Sequence, residues 1–156
     1  MSQATTGGAG AGYVLPKGLP SPVPARDGLD TRYWEGTRRH ELWVQHCQHC
    51  GTWQWGPEWI CHGCHRFDVG WDRVAPRGII YSWERPWHPV HRALGDACPY
   101  TILLVELPDA GGVRMVGNLV GDPLQPFAIG DPVEAVFEDH DDAETPFTLV
   151  QWRVTA

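Results

Sequence analysis

Two Cys-x-x-Cys pairs decide the fold of this chain: Cys47-Gln48-His49-Cys50 and, after ten intervening residues, Cys61-His62-Gly63-Cys64. Each pair places two thiolates on one tight turn, and four thiolates together favour a single tetrahedral Zn²⁺ or Fe ion. Gly51 and Gly63 suit the positive φ or the close backbone approach that such turns require. Four unligated thiols or two disulfides are the alternative, which the matched spacing disfavours. The pattern predicts a metal site with the ligands Cys47, Cys50, Cys61 and Cys64.

A complete set of four thiolates makes this predicted site structural. Four ligands leave no open position on a tetrahedral ion, so we expect the metal to hold a shape and not to catalyse a reaction. Structural zinc contributes on the order of 10 kcal/mol to the folding of small ribbons, so zinc is expected and iron is the alternative. Nearby histidines could substitute as ligands, but with the thiolate set complete we expect them outside the coordination sphere: His46, His49, His62 and His65.

Length and composition allow one ordinary domain, or two small ones that share contacts. The 156 residues are 42% hydrophobic and include nine tryptophans, enough for a packed core. The longest aliphatic run, Ile102-Leu103-Leu104-Val105, is far shorter than a membrane span. Residues 1–12 contain no export signal, and cysteines at ligand spacing indicate a reducing compartment, so a cytoplasmic location is expected.

Charge is distributed unevenly along the chain, whose formal net charge is −7. Residues 26–92 carry nine arginines and eight acidic residues, whereas residues 93–156 carry two arginines and eleven acidic residues, a net of −9. A strongly acidic half opposes binding to a phosphate backbone, so nucleic acid is not the expected partner. The arginine-bearing half could still hold a local anion site.

The part of the chain before the cysteines divides into two segments. Residues 1–28 are rich in Gly, Ala, Ser, Thr and Pro, which predicts a flexible tail, with a partner-docking arm as the alternative. In residues 29–46, Asp30 or Thr31 can cap a short helix that ends near Arg39. The alternation from Glu41 to His46 then predicts a strand that leads into the first cysteine pair.

The part of the chain after residue 46 is predicted to be β throughout. Residues 47–74 form the metal ribbon, and residues 75–156 contain five strands of similar spacing with turn residues between them. A small closed barrel would remove the edges of such a sheet. The predicted strands are Gly78 to Trp87, Tyr100 to Leu107, Val113 to Val120, Val133 to Asp139 and Phe147 to Val154.

The chain from Tyr33 to Trp152 resembles a family of acyl-CoA-associated proteins, long filed as a domain of unknown function. Members have an N-terminal helix, a rubredoxin-like zinc ribbon and a C-terminal OB-fold, and the motifs that match include the four cysteines. The other matching motifs are Tyr33-Trp34-Glu35-Gly36, Glu41 to Cys47, Gly78 to Trp83, Pro99-Tyr100, Gly117 to Gly121 and Ile129 to Val133. The resemblance implies a mainly β fold with a short helix, a zinc ribbon and a five-stranded OB-fold barrel.

The resemblance also implies an accessory subunit without catalytic residues of its own. Family members pair with thiolase-like proteins that act on CoA thioesters, so a two-fold heteromeric complex and an acyl-CoA ligand are expected. Thiolysis, acyl transfer and retro-aldol cleavage stay open as the reaction. Large hydrophobic acyl groups, such as steroid side chains or aromatic acids, would suit the tryptophan content.

Two further sets of residues are candidates for binding. An anion site for CoA phosphates, or a wall of the partner's active site, is predicted in one loop; a solvated loop is the alternative. Eight of the nine tryptophans lie between Trp34 and Trp87, more than so small a module can bury, so some should face a partner. The loop residues are Arg85, His88, His91 and Arg92, and the tryptophans are Trp53, Trp55 and Trp59.

Two other functions remain as alternatives. OB-folds and ribbons both bind single-stranded nucleic acid, but the acidic half opposes it. A rubredoxin-type Fe(Cys)₄ site could transfer electrons. The fifth cysteine, Cys98, is expected to be a small, partly buried apolar residue, because no base accompanies it in the sequence.

Overall fold

The computed structural model describes residues 13–67 and 69–155, which are mainly β with one short α-helix. Short 3₁₀ turns occur at Arg92–Leu94 and Pro108–Ala110. In the described part of the chain, no helix is long and apolar enough to cross a membrane. The elements are α1 (Thr31–Thr37), β1 (Leu42–Cys47), β2 (Trp53–Gln54), β3 (Val69–Val74), β4 (Arg77–Glu84), β5 (Ile102–Leu107), β6 (Val113–Asn118), β7 (Pro132–His140) and β8 (Phe147–Val154).

The ribbon is a three-stranded antiparallel sheet in the order β2-β1-β3. Strand β1 pairs along its whole length with β3, from Leu42 opposite Val74 to Cys47 opposite Val69. The even positions of β1 that the sequence marks as apolar, Leu42 and Val44, are fully buried. The predicted strand into the first cysteine pair is therefore the central strand of this sheet.

The second sheet is a five-stranded barrel in the order β6-β5-β4-β7-β8. Its two ends meet through a parallel bridge between Leu119 and Trp152, and the N–H of Val120 donates to the carbonyl of Trp152 at 2.8 Å. Gly117 permits this approach, since a Cβ there would lie 2.5 Å from the carbonyl oxygen of Val150. The predicted five-stranded barrel is confirmed, and closing β6 against β8 is the OB-fold arrangement.

Helix α1 begins at the predicted position, although its N-cap residue acts differently from the prediction. Asp30 occupies the N-cap, but its carboxylate makes no capping bond to the helix. It accepts the N–H of Ala25 at 2.8 Å and the indole N–H of Trp34 at 3.0 Å instead. The expected capping bond is therefore replaced by contacts that tie the incoming chain to the helix.

Ribbon and barrel share one hydrophobic core. Leu42, Val44 and Val74 of the ribbon belong to the same buried cluster as Leu103 and Trp152 of the barrel. Trp53 of β2 also packs directly on the turn before β6, where a Cβ on Gly111 would lie 2.7 Å from its ring. The two modules therefore pack as a continuous unit.

The segment from Tyr13 onward lies against the outer side of β7 and β8. Tyr13 stacks on His140 at 4.2 Å, and the N–H of Val14 donates to the buried carboxylate of Glu138 at 2.6 Å. Lys17 pairs with Asp142, which lowers the pKa of that carboxyl to about 2. The predicted tail boundary at residue 28 stays a prediction, and its first twelve residues lie outside the described part of the chain.

Replacing Gly111 with Ala should weaken the contact between ribbon and barrel. Gly111 has φ +64, and a Cβ there would collide with Trp53. Its neighbour Gly112 has φ +78 but only the Glu106 side chain, 3.8 Å away, near the site of a Cβ. Ala at either position incurs the left-handed penalty of about 1 kcal/mol. We expect Gly111→Ala to lower the free energy of unfolding by about 2 kcal/mol more than Gly112→Ala does. Urea denaturation followed by tryptophan fluorescence measures both; equal losses would contradict the packing role of Trp53.

Candidate functional site

Four cysteines come together at the end of the ribbon. The Sγ atoms of Cys47, Cys50, Cys61 and Cys64 all lie within 4.8 Å of one another. The Cys47–Cys64 and Cys50–Cys61 sulfur pairs are each 3.6 Å apart. A tetrahedral ion with metal–sulfur bonds of about 2.3 Å would place its ligands about 3.8 Å apart. The four thiols therefore form a rubredoxin-like metal-binding site that zinc or iron would fit.

The two cysteine turns have the same backbone design. In the first, the N–H of Gly51 donates to the carbonyl of Cys47 at 2.9 Å, and Gly51 has φ +72. In the second, the N–H of His65 donates to the carbonyl of Cys61 at 2.8 Å, and His65 has φ +59. His65 is thus the left-handed residue of the second turn. It lies four residues after Cys61, just as Gly51 lies four residues after Cys47.

Gly63 provides the close backbone approach that the sequence analysis allowed as the alternative to a positive φ. A Cβ at Gly63 would lie 2.5 Å from the hydroxyl oxygen of Thr52, so the two turns can approach each other only because this residue is glycine. The N–H of Gly63 also donates to the sulfur of Cys61 at 3.3 Å. Thr52 lies between the turns and contacts both.

Neighbouring donors change the acidity of the thiols. The Thr52 hydroxyl, 3.1 Å from Cys50 Sγ, lowers the pKa of Cys50 to about 6, and the backbone N–H of Cys64 lowers the pKa of Cys61. The pKa of Cys64 is raised to about 12, because burial and the other thiols outweigh the backbone N–H of Arg66, which lowers it. A metal binds thiolates, so it must displace the Cys64 proton, and its affinity falls as the pH falls.

The histidines beside the cysteines do not join this cluster. His46 stacks on Trp53 at 4.0 Å, and its Nδ1 lies 2.5 Å from a carboxylate oxygen of Asp72. His49 and His62 are exposed, as is His65. The ligand set among the described residues is therefore made of thiols alone.

The predicted anion loop is divided between two environments. Arg85 is half-buried and donates from Nε to the hydroxyl of Thr101 at 2.9 Å. His91 caps the 3₁₀ turn, where its Nδ1 accepts the N–H of Ala93 at 3.2 Å, while His88 and Arg92 are exposed. In the described part of the chain, no hydrogen bond or ion pair joins Arg85 to the other three residues.

The three tryptophans predicted to face a partner also have different surroundings. Trp53 and Trp55 are half-buried and pack against the shared core, and Trp55 meets Tyr33 edge-to-face at 4.7 Å. Trp59 is 52% exposed, and its indole N–H donates to Asp27 at 3.0 Å. Of the three, Trp59 is the one with most of its surface free for another protein.

The aromatic residues around Arg85 are not among the candidate site residues predicted from the sequence. Trp83 and Phe127 meet edge-to-face at 5.4 Å, and the Arg85 guanidinium lies 5.1 Å from the Trp83 ring centroid. The spacing of Trp83 and Arg85, two residues apart at the end of β4, could have indicated a shared face. Phe127 comes from an irregular segment whose sequence carries no such periodicity.

The fold and the site define a class of protein: a four-cysteine metal ribbon joined through one core to an OB-fold barrel. Two family models match this chain in that order. "ChsH2, rubredoxin-like zinc ribbon domain" covers residues 34–70, and "ChsH2, C-terminal OB-fold domain" covers residues 71–138. The chain belongs to the ChsH2 family, as the resemblance predicted.

Known relatives agree with this assignment. The chain is 31% identical over 150 residues to the 3-oxo-4,17-pregnadiene-20-carboxyl-CoA hydratase alpha subunit of Mycobacterium tuberculosis, a match that covers 88% of this chain. It spans only 45% of the length of that curated relative.

Two solved structures have a similar fold. A chain of the "Ltp2-ChsH2(DUF35) aldolase" is 31% identical, with a TM-score of 0.73, and the match covers 87% of this chain and 100% of that one. A Sulfolobus solfataricus protein of unknown function from the DUF35 family is 13% identical, with a TM-score of 0.52 over 80% of this chain and 84% of that one, which shows the fold alone.

Replacing Cys61 with Ser should remove the metal and destabilise the ribbon. Cys61 is fully buried, and a hydroxyl is a poor ligand for a thiolate-preferring ion. We expect the metal content to fall from about one ion per chain to near zero, and the free energy of unfolding to fall by about 3 kcal/mol or more. Elemental analysis and urea denaturation measure the two effects.

Cys98 provides the control for that experiment, because it is the one cysteine outside the cluster. Cys98→Ser should keep the metal and change stability by about 1 kcal/mol or less. A Cys61→Ser protein that retains a full complement of metal would contradict the assigned ligand set.

Proposed function

We propose that this chain is a non-catalytic accessory subunit that binds a thiolase-like protein and helps to assemble its acyl-CoA site. In this proposal the partner supplies the catalytic groups, and the reaction is carbon–carbon bond cleavage or acyl transfer on a CoA thioester. The assembly is a two-fold heteromeric complex in the cytoplasm, where reduced thiols can serve as metal ligands.

The observation that carries this proposal is the match to the ChsH2 chain of the aldolase. That match covers the whole of the ChsH2 chain, which is described together with Ltp2 as one aldolase. A chain that is similar over the full length of one component has the size and the fold to take the same place in an assembly. Retro-aldol cleavage is therefore the preferred reaction among the three left open by the sequence.

The relative from Mycobacterium tuberculosis supports the choice of substrate class. Its name specifies a steroid-derived carboxyl-CoA thioester. A bulky apolar acyl-CoA of this kind is our proposed substrate for the complex. The hydratase activity in that name is not part of the proposal, since this chain spans less than half of that protein.

The metal centre supports a structural role for the ion, and we propose zinc. Four thiols converge with no other ligand type among the described residues, so a tetrahedral ion would have no position left for substrate. The ribbon also has few buried apolar residues of its own beyond β1 and β3. An ion that closes the two cysteine turns would fix the surface that the ribbon presents.

Two groups from the sequence analysis keep a place in this proposal. Trp59 offers a largely exposed indole to the partner, and the exposed His88 and Arg92 could approach the phosphates of CoA at the edge of the assembled site. Single-stranded nucleic acid is disfavoured as a partner because residues 93–156 carry a net charge of −9.

Zinc and iron are distinguished by the purified protein itself. We expect a colourless preparation that contains about one zinc per chain, because a closed thiolate site in a protein without a redox role needs no iron. Elemental analysis and the visible absorption spectrum provide the measurement. A red preparation with one iron per chain would replace the structural proposal with rubredoxin-type electron transfer.

Co-expression with a thiolase-like protein encoded nearby tests the accessory role. We expect the two chains to co-elute on size exclusion, and the partner's cleavage of acyl-CoA to increase when this chain is present. The control is the Cys61→Ser protein, which should bind less well because the ribbon loses its metal. If the two wild-type chains never co-elute and activity is unchanged, the proposal fails.

A further inference from the structure

The side chain of Arg85 is held in place by a hydrogen bond to the buried Thr101. Its Nε donates to the hydroxyl of Thr101, which is 1% exposed, and that hydroxyl donates in turn to the carbonyl of Pro123 at 2.8 Å. Because the Thr101 hydroxyl has given its only proton to Pro123, it can meet Arg85 only as an acceptor. This chain of bonds fixes the direction in which the guanidinium projects.

Aromatic rings flank the guanidinium. It lies 5.1 Å from the centroid of Trp83 and 5.8 Å from that of Phe127, within the range of cation–π attraction. The rings and the bond to Thr101 leave Arg85 half-buried. Its entropy of ordering is therefore lost before any ligand arrives, which favours binding at this position.

Arg85, which follows strand β4, has no carboxylate, whereas each of the three arginines on the barrel strands contacts one. Arg114 also lies over a ring, 3.4 Å from the centroid of Tyr81, but its Nε contacts Glu106 at 3.2 Å. Arg77 and Arg153 also contact carboxylates. Within residues 13–67 and 69–155, Arg85 has no ion pair, and its two terminal nitrogens make no hydrogen bond. The terminal nitrogens of this held guanidinium are thus left without a partner in the described part of the chain.

Exposed apolar side chains lie in the same chain segments as Arg85 and the residues that hold it, beside the exposed polar residues Glu84, His88 and Asp122. Trp83, Trp87, Val90, Leu124 and Ile129 are 44%, 61%, 82%, 53% and 65% exposed. Trp87 and Val90 follow Arg85 along the chain, Leu124 follows the Pro123 that holds Thr101, and Ile129 follows Phe127. We name this surface the Arg85 face, consisting of these five residues together with Arg85 and Phe127. Exposed aromatics around one arginine are the composition of the centre of a protein interface.

We infer that the Arg85 face is the docking surface for the thiolase-like partner, and that Arg85 receives an aspartate or glutamate of that partner which is itself surrounded by apolar side chains. The inference rests on the proposed function and adds the surface and the chemistry of the contact. Charge complementarity identifies the occupant: two parallel donors match one carboxylate. A protein, more than a free phosphate, suits the apolar rim, because phosphate sites recruit several cations or backbone N–H groups.

The affinity of the purified complex tests this inference. We expect Arg85→Ala to raise the Kd by about thirtyfold or more, as for an interface residue of this kind. Arg85→Lys should raise it by about tenfold, because lysine keeps the charge but loses the two-pronged geometry. The matched control is Arg114→Ala, which removes a stacked arginine that already has its carboxylate and should change the Kd by less than about threefold. Metal content and thermal melting verify that each variant is folded.

The outcomes separate this inference from the proposed function. If the wild-type chain binds the partner and both Arg85 variants bind equally well, the inference is wrong and the accessory role stands. If the wild-type chain does not bind at all, the proposed function fails and the inference with it.

Two other possible ligands of Arg85, a phosphate of CoA and a second copy of this chain, would each give a different experimental result. Unchanged affinity for the partner, together with weaker binding of free CoA to the Arg85→Ala complex, would assign the site to phosphate. Self-association of the wild-type chain that Arg85→Ala abolishes, with partner binding intact, would assign it to a second copy. Either result would overturn the docking inference.

Discussion

The four-thiol centre is the constraint on which the ribbon depends, because it lies at one end of the strand that also enters the barrel core. Strand β1 ends at Cys47, which is buried among the ligands, and begins at Leu42, which is buried among barrel residues. A metal bound to Cys47 therefore fixes the far end of a strand whose near end is already fixed by packing. The described residues between Gln54 and Val69 form no strand, so the second turn is held to β1 and β2 through the buried side chains of Gln45 and Gln54, which bond to the backbone of Glu58, Ile60 and His62.

Trp53 extends this constraint into the barrel. Its ring stacks on His46 and also approaches Gly111, so the side chain packs between ribbon and barrel. The tryptophan excess noted in the sequence is thus partly used inside the chain. Three tryptophans remain exposed: Trp59 on the ribbon, and Trp83 and Trp87 in the same chain segment as Arg85. Those positions define the surfaces that are open to another protein.

Local patterns predicted the elements well, and long-range contacts account for what they missed. The spacing of Cys47 and Cys50, the alternation in β1 and the hydrophobic run of β5 are visible within a few residues. The left-handed residue of the second turn is His65. A glycine at this position would have indicated the positive φ, whereas a histidine gives no such signal. The bond from Arg85 to Thr101 joins residues sixteen apart, and its partner Pro123 lies twenty-two residues beyond Thr101. No window of sequence contains all three.

The uneven distribution of charge along the sequence is partly balanced in the folded chain by contacts between its two parts. Acidic residues at the end of β7 and in the loop after it contact basic residues from the N-terminal part: Asp139 with His40, Asp141 with Arg38, and Asp142 with Lys17. Asp141 and Asp142 therefore have cationic partners from within the chain at that end of the barrel. Arg85 is the reverse case, a fixed cation in the same barrel with no internal carboxylate. Folding pairs two acidic residues of that loop but leaves this arginine without a carboxylate in the described part of the chain, and the proposed docking contact would supply one from another protein.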